Sequence, residues 1–97
     1  LRRLGGGDGG PPALAADPPR LIFPLDAATV ERMGEDEPVI LSASGGRRPL
    51  TWLVDGRRIA TTPVARDVPW RPDGPGFARI TVVDADGRSD SVGVEVR

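Results

Sequence analysis

Short runs of alternating apolar and polar residues recur along the chain, each closed by a cluster of Gly, Pro or Asp. Val39-Ile40-Leu41-Ser42-Ala43-Ser44 sets Val39, Leu41 and Ala43 against Ile40, Ser42 and Ser44. A period of two places the sets on opposite faces of a strand, so the first should meet a core and the second face outward. In the next run Leu50, Trp52 and Val54 share a face. Asp55-Gly56 then offers the positive-φ pair that a tight hairpin needs, and Arg57-Arg58-Ile59-Ala60 returns. Ala78, Ile80 and Val82 alternate with Arg79, Thr81 and Val83; beyond a turn at Asp84–Arg88, Val92, Val94 and Val96 alternate with Ser91, Gly93 and Glu95. These last two runs predict a C-terminal hairpin.

Elsewhere the pattern is less regular. Leu21-Ile22-Phe23-Pro24 predicts a short edge strand closed by proline, Asp26 to Val30 a turn and a brief strand, and Met33 to Pro38 an acidic loop. Thr61 to Asp67 has no clear period, with Pro63 in a loop or edge; Val68-Pro69-Trp70 ends a strand and Arg71 to Gly76 turns. The sum is about seven short strands at spacings near ten residues, without helical periodicity, which predicts an all-β, immunoglobulin-like antiparallel sandwich. Trp52 then occupies a central strand, and Leu41, Leu50, Trp52, Val54, Ile80, Val82 and Val94 form the core. A small barrel is the alternative fold.

Residues 1–19 stand apart. Gly5-Gly6-Gly7-Asp8-Gly9-Gly10-Pro11-Pro12 and Asp17-Pro18-Pro19 combine unrestrained backbone with prolines that cannot donate to a ladder, the composition of a linker. The opening Leu1-Arg2-Arg3-Leu4 reads as the interior of a longer chain. The expected division is a linker over 1–19 and a folded domain over 20–97. A phosphate-cradling loop would need a strand before the glycines and a helix or Lys behind them, and neither is present.

Composition narrows the chemistry. The chain has 97 residues, a net charge of −1, two Trp, two Phe, no Tyr, no Cys and no His, and its thirteen basic residues are all Arg. A domain of about 78 residues buries only about 60% of its unfolded surface, so each aromatic counts. The near-neutral charge argues against nucleic acid and anionic membrane as partners. Without Cys, His or Lys, no disulfide, imidazole or thiolate metal site, Ser-His-Asp triad, Cys nucleophile or Ser-Lys pair can be assembled. No run is long and apolar enough to span a bilayer, and the N-terminus is no signal peptide, so any export signal or anchor is expected outside this stretch. Asp84-x-Asp86-Gly87 superficially resembles a calcium loop, but glycine falls at the fourth place rather than the sixth and a hairpin turn explains it. Glu35, Asp36 and Glu37 are consecutive, so their carboxylates diverge and repel. No cofactor and no metal is expected.

Two sets of side chains remain as candidate contacts. Arg47, Arg48, Arg57 and Arg58 flank one predicted hairpin and could converge on carboxylates or phosphates, or simply solvate two turns. Trp70, beside Arg71 and Pro72, could stack on a sugar or anchor a partner; as a cap it would close one end of the sandwich.

The strings Arg47-Arg48-Pro49-Leu50-Thr51-Trp52-Leu53-Val54-Asp55-Gly56, Trp70-Arg71-Pro72-Asp73-Gly74-Pro75-Gly76-Phe77 and Thr81-Val82-Val83-Asp84-Ala85-Asp86-Gly87-Arg88-Ser89 resemble the C-terminal domain of the penicillin-binding protein 1C family. Pro19-Arg20-Leu21-Ile22-Phe23-Pro24 fits the start of that domain, and the similarity runs from about Pro18 to Arg97. In that family the domain follows a glycosyltransferase and a transpeptidase domain that polymerise and cross-link peptidoglycan outside the inner membrane. The resemblance implies a periplasmic, non-catalytic tail of a membrane-anchored bifunctional synthase, tethered by the Gly/Pro tract. None of the parent's Ser-x-x-Lys or Lys-Thr-Gly motifs occurs here. The implied partners are the parent synthase domains or another periplasmic envelope protein. Direct binding of peptidoglycan strands through the arginines and Trp70 is the alternative.

Overall fold

A computed structural model describes residues 17–31 and 37–97. The linker expectation for residues 1–16 and most of the expected acidic loop lie outside the described residues. Among the described residues eight strands form in chain order: β1 (Arg20–Phe23), β2 (Thr29–Val30), β3 (Val39–Ser44), β4 (Leu50–Val54), β5 (Arg57–Thr62), β6 (Asp67–Trp70), β7 (Gly76–Val83) and β8 (Ser89–Val96). Two sheets result, one ordered β1-β3-β6 and the other β2-β8-β7-β4-β5. All pairings are antiparallel except β2 with β8, which is parallel. This is a sandwich with the central-strand Trp of the immunoglobulin-like arrangement.

The alternation of each strand decides which face packs. Val39, Leu41 and Ala43 from β3 meet Leu50 and Trp52 from β4, Ile80 and Val82 from β7, and Val92, Val94 and Val96 from β8. Trp52, Leu41, Leu50, Ile80 and Val82 have no solvent exposure, and Val54 packs half-buried at the margin of the cluster. Trp52 also donates its indole Nε1–H to Thr62 Oγ1 at 3.0 Å, which satisfies the one polar atom the ring carries inward.

The strand count exceeds seven because the N-terminal edge divides between the sheets. A cis peptide bond joins Phe23 to Pro24, where β1 ends, and Pro24 is fully buried. The chain then crosses to the other sheet, where Ala27 N–H donates to Gly93 O and β2 joins β8. Two acids fasten this edge: Leu21 N–H donates to Asp90 Oδ2 at 2.8 Å and Gly93 N–H to Asp26 Oδ1 at 2.9 Å. Packing reaches back to residues 17–19, which sequence alone groups with the linker. Gly46 N–H donates to Asp17 O, and Pro19 is buried against Gly46.

Candidate functional site

One end of the sandwich is closed by a hydrogen-bonded knot around Asp84. The loop after β7 turns back at Asp84 because its buried carboxylate collects donors from two loops. Oδ1 accepts from Asp86 N–H at 3.0 Å and Arg88 N–H at 2.9 Å. Oδ2 accepts from Arg47 N–H at 3.1 Å and from Arg88 Nε and Nη2 at 3.1 and 2.9 Å. Burial pushes the Asp84 carboxyl up, but the N–H groups of Arg47 and Arg88 and the Arg88 guanidinium outweigh it and hold the group below its ordinary value. The knot ties the β3–β4 loop to the β7–β8 loop and is architectural.

Of the residues singled out from sequence, Arg47 and Arg48 belong to this end. Arg47 Nε lies 3.7 Å from Asp86, and Arg48 Nη1 donates to Val64 O at 3.0 Å. Arg66 Nη1 donates to Gly45 O, so a third arginine holds the same loops together. Arg57 and Arg58 lie beyond the other end of β4, and a five-residue strand separates the two pairs by roughly 15–20 Å. The four arginines therefore do not converge on one ligand. Their proximity in sequence reflects the two ends of one strand.

Trp70 packs inward, as a cap on the sandwich. It is only 8% exposed and belongs to the core cluster, so its ring is no open platform for a sugar. What remains accessible is its margin in a groove of about 310 Å³ that also holds Val54, Arg57, Ile59, Arg71 and Asp73. Arg57 and Trp70 are thus brought together, while Arg47 and Arg48 are not with them.

Two outward faces carry features that the sequence reading did not assemble. On the three-stranded sheet Phe23 stands opposite Ser42, diagonal to Ile40, which in turn stands opposite Pro69. Phe23 and Ile40 are 49% and 45% exposed. On the five-stranded sheet Phe77, Arg79, Thr81 and Val83 form the outward set of β7, and register sets Phe77 against Glu95 and Arg79 against Gly93. Gly93 leaves a hollow of about 480 Å³ bordered by Ala27, Asp55, Phe77, Arg79 and Glu95. Phe77 is 84% exposed at its rim. The signal for this second face was present, since an aromatic and a glycine both fall in outward sets. Only the register of β7 on β8 joins them.

Among the described residues no group of three or more Asp, Glu, His or Cys side chains gathers to hold a metal. The profile of the family described as Penicillin-Binding Protein C-terminus matches residues 10–96. No curated protein and no solved structure matches the chain.

Proposed function

The chain belongs to the penicillin-binding protein C-terminus family, and from that premise we propose that it is a non-catalytic docking module of a bifunctional peptidoglycan synthase. In this reading the module lies in the periplasm, joined to the catalytic domains by the Gly/Pro tract, and positions the synthase by binding protein. The observation that carries it is the apolar outer face of β1 and β3, where Phe23 and Ile40 are exposed on one diagonal in a domain with few aromatics. Adjacent exposed apolar side chains are the mark of a surface that meets another protein. This face is also formed by the strand through which the chain enters the fold, next to the tether. Docking there on the parent's own domains, or on another envelope protein, would bury it. The sugar-binding alternative loses its two supports, since Trp70 is buried and the arginines are divided.

The test is retention of the purified glycosyltransferase–transpeptidase portion on the immobilised 97-residue chain, beside retention of the chain on purified sacculi. Phe23→Ser and Ile40→Ser should each weaken protein retention at least tenfold while leaving the thermal midpoint within a few degrees. Retention on sacculi that ignores both substitutions, with no synthase domain held, would sink the docking reading in favour of glycan binding.

A further inference from the structure

We propose that Asp73 is a site of spontaneous covalent modification in the folded protein: the Gly74 nitrogen closes on the Asp73 side-chain carboxyl, and the resulting imide reopens to an isoaspartyl link. The site lies in the turn between β6 and β7 and is independent of the docking reading.

Asp-Gly is the dipeptide in which this closure is least hindered, because glycine sets no side chain beside the attacking nitrogen and leaves the backbone free to turn. The described residues contain three such pairs, Asp55-Gly56, Asp73-Gly74 and Asp86-Gly87. A fourth, Asp8-Gly9, lies outside them. Closure requires a carboxyl that is not held elsewhere and a main chain that can rotate to bring the nitrogen onto Cγ. Asp55-Gly56 fails on both counts. Asp55 N–H donates to Arg79 O at 2.8 Å, its Oδ1 accepts from Arg79 N–H at 2.9 Å, and the hairpin fixes both residues at positive φ. Asp86-Gly87 is held as firmly. Asp86 N–H donates to Asp84 Oδ1 at 3.0 Å, and its carboxylate lies 3.7 and 3.8 Å from Arg47 and Arg88. The nitrogen that would attack there is itself engaged, since Gly87 N–H donates to Asp84 O at 3.1 Å.

Asp73-Gly74 carries none of these restraints. Among the described residues 72–75 make no hydrogen bond or ion pair, through main chain or side chain. Asp73 is exposed, and a Cβ added at Gly74 would meet nothing within 4 Å, so the imide ring has room to form. β6 ends at Trp70 and β7 begins at Gly76, so turning the peptide between Asp73 and Gly74 breaks no strand pairing. Pro72 and Pro75 fix their own φ and leave that rotation open. In the first step a C–N bond forms between Asp73 Cγ and the Gly74 nitrogen, while the carboxyl hydroxyl and the Gly74 N–H proton leave as water. A second water then opens the imide. Attack at Cγ restores Asp; attack at the main-chain carbonyl carbon leaves the chain running through Cβ and Cγ, with the carboxylate now on Cα. No oxidant, reductant or cofactor is consumed. The product lengthens the turn by a methylene and displaces the acid that borders the groove of Arg57, Ile59 and Trp70.

Incubation of the folded 97-residue chain in neutral buffer made with oxygen-18 water tests this, because each imide that reopens takes up one heavy oxygen. Cleavage after arginine, in ordinary water, separates the three pairs into peptides 48–57, 67–79 and 80–88. Peptide 67–79 should gain label at least about tenfold faster than the other two, whose closure must wait for local opening of their turns. It should also yield a second chromatographic form of unchanged sequence, the isoaspartyl isomer. In concentrated guanidinium chloride the three peptides should label within about threefold of one another, since the folded restraints are then gone. Asp73→Glu should abolish the labelling of 67–79, which excludes Asp67 as its source. Gly74→Ala should slow it severalfold at an unchanged thermal midpoint, because the methyl has open space in the fold but crowds the attacking nitrogen. Equal labelling of the three peptides in the folded chain, or a folded chain that labels none of them while the denatured chain labels all, overturns the proposal.

Discussion

Trp52 has no solvent exposure and its Nε1–H is matched by Thr62, so one side chain joins packing and polar satisfaction at the centre of the sandwich. Trp52→Ala should cost about 3–5 kcal/mol, the range for aromatic truncation in a core. A domain of this size holds about 5–8 kcal/mol, so denaturant melts should show a barely folded protein. A loss under about 1 kcal/mol would mean that the ring does not fill the core. Asp84 acts at the same scale through charge. Its folded carboxyl titrates below its ordinary value of 3.8, so its stabilisation is complete above that value and is lost as pH falls through the folded one. Thermal midpoints from pH 7 to pH 2 should therefore fall below about pH 4 in wild type. Asp84→Asn should start lower at pH 7, because an amide cannot accept all five donors, and its pH profile over the acid range should be flatter. Parallel profiles would show that Asp84 contributes nothing through its charge.

Among the elements, β3, β4, β7 and β8 were legible because each buries one face and exposes the other, so a period of two is written into the residues themselves. The Asp55-Gly56 turn was legible too: both residues take positive φ, 53° and 82°, as the tight hairpin demands. What sequence could not show is which strands share a sheet. The split of the first edge at Pro24, the bulge at Ile59 and the register that sets Arg79 against Gly93 depend on partners distant in the chain. The same limit explains the arginines, where neighbours in sequence sit at opposite ends of β4. Residues 17–19 are another instance, since their prolines read as linker while their contacts lie with Gly45 and Gly46. Gly45 and Gly46 have φ of 69° and 75°, and Cβ atoms there would come within 2.5 Å of Pro18 O and 2.9 Å of Pro19. This close approach gives the 17–19 segment a measurable share of stability. A chain beginning at residue 20 should melt about 4–8 °C below one beginning at residue 17, the shift expected for about 1 kcal/mol in a domain this small. Equal midpoints would return the segment to the linker.

At the scale of the whole molecule, the distribution of charge decides how the module meets other proteins. Net charge is −1, and the arginines flanking the β4–β5 hairpin form two pairs separated by roughly 15–20 Å. Charges farther apart than about 8 Å are screened from each other at physiological ionic strength, so the pairs cannot add into one field. One of them is also engaged in its own loops, through Asp86 and Val64 O. Phe23 and Ile40, by contrast, lie together on one outer face, and the attraction of apolar surface is not screened by salt. Binding of the synthase domains should accordingly change less than threefold between 0.05 and about 0.5 M salt, where the screening length shortens severalfold. Arg47→Glu with Arg48→Glu, and Arg57→Glu with Arg58→Glu, should likewise move the affinity by less than threefold. Ile40→Ser should lower it at least tenfold at either salt concentration. A steep fall with salt, together with loss of binding in either arginine double variant, would give the arginines the role that their separation denies them.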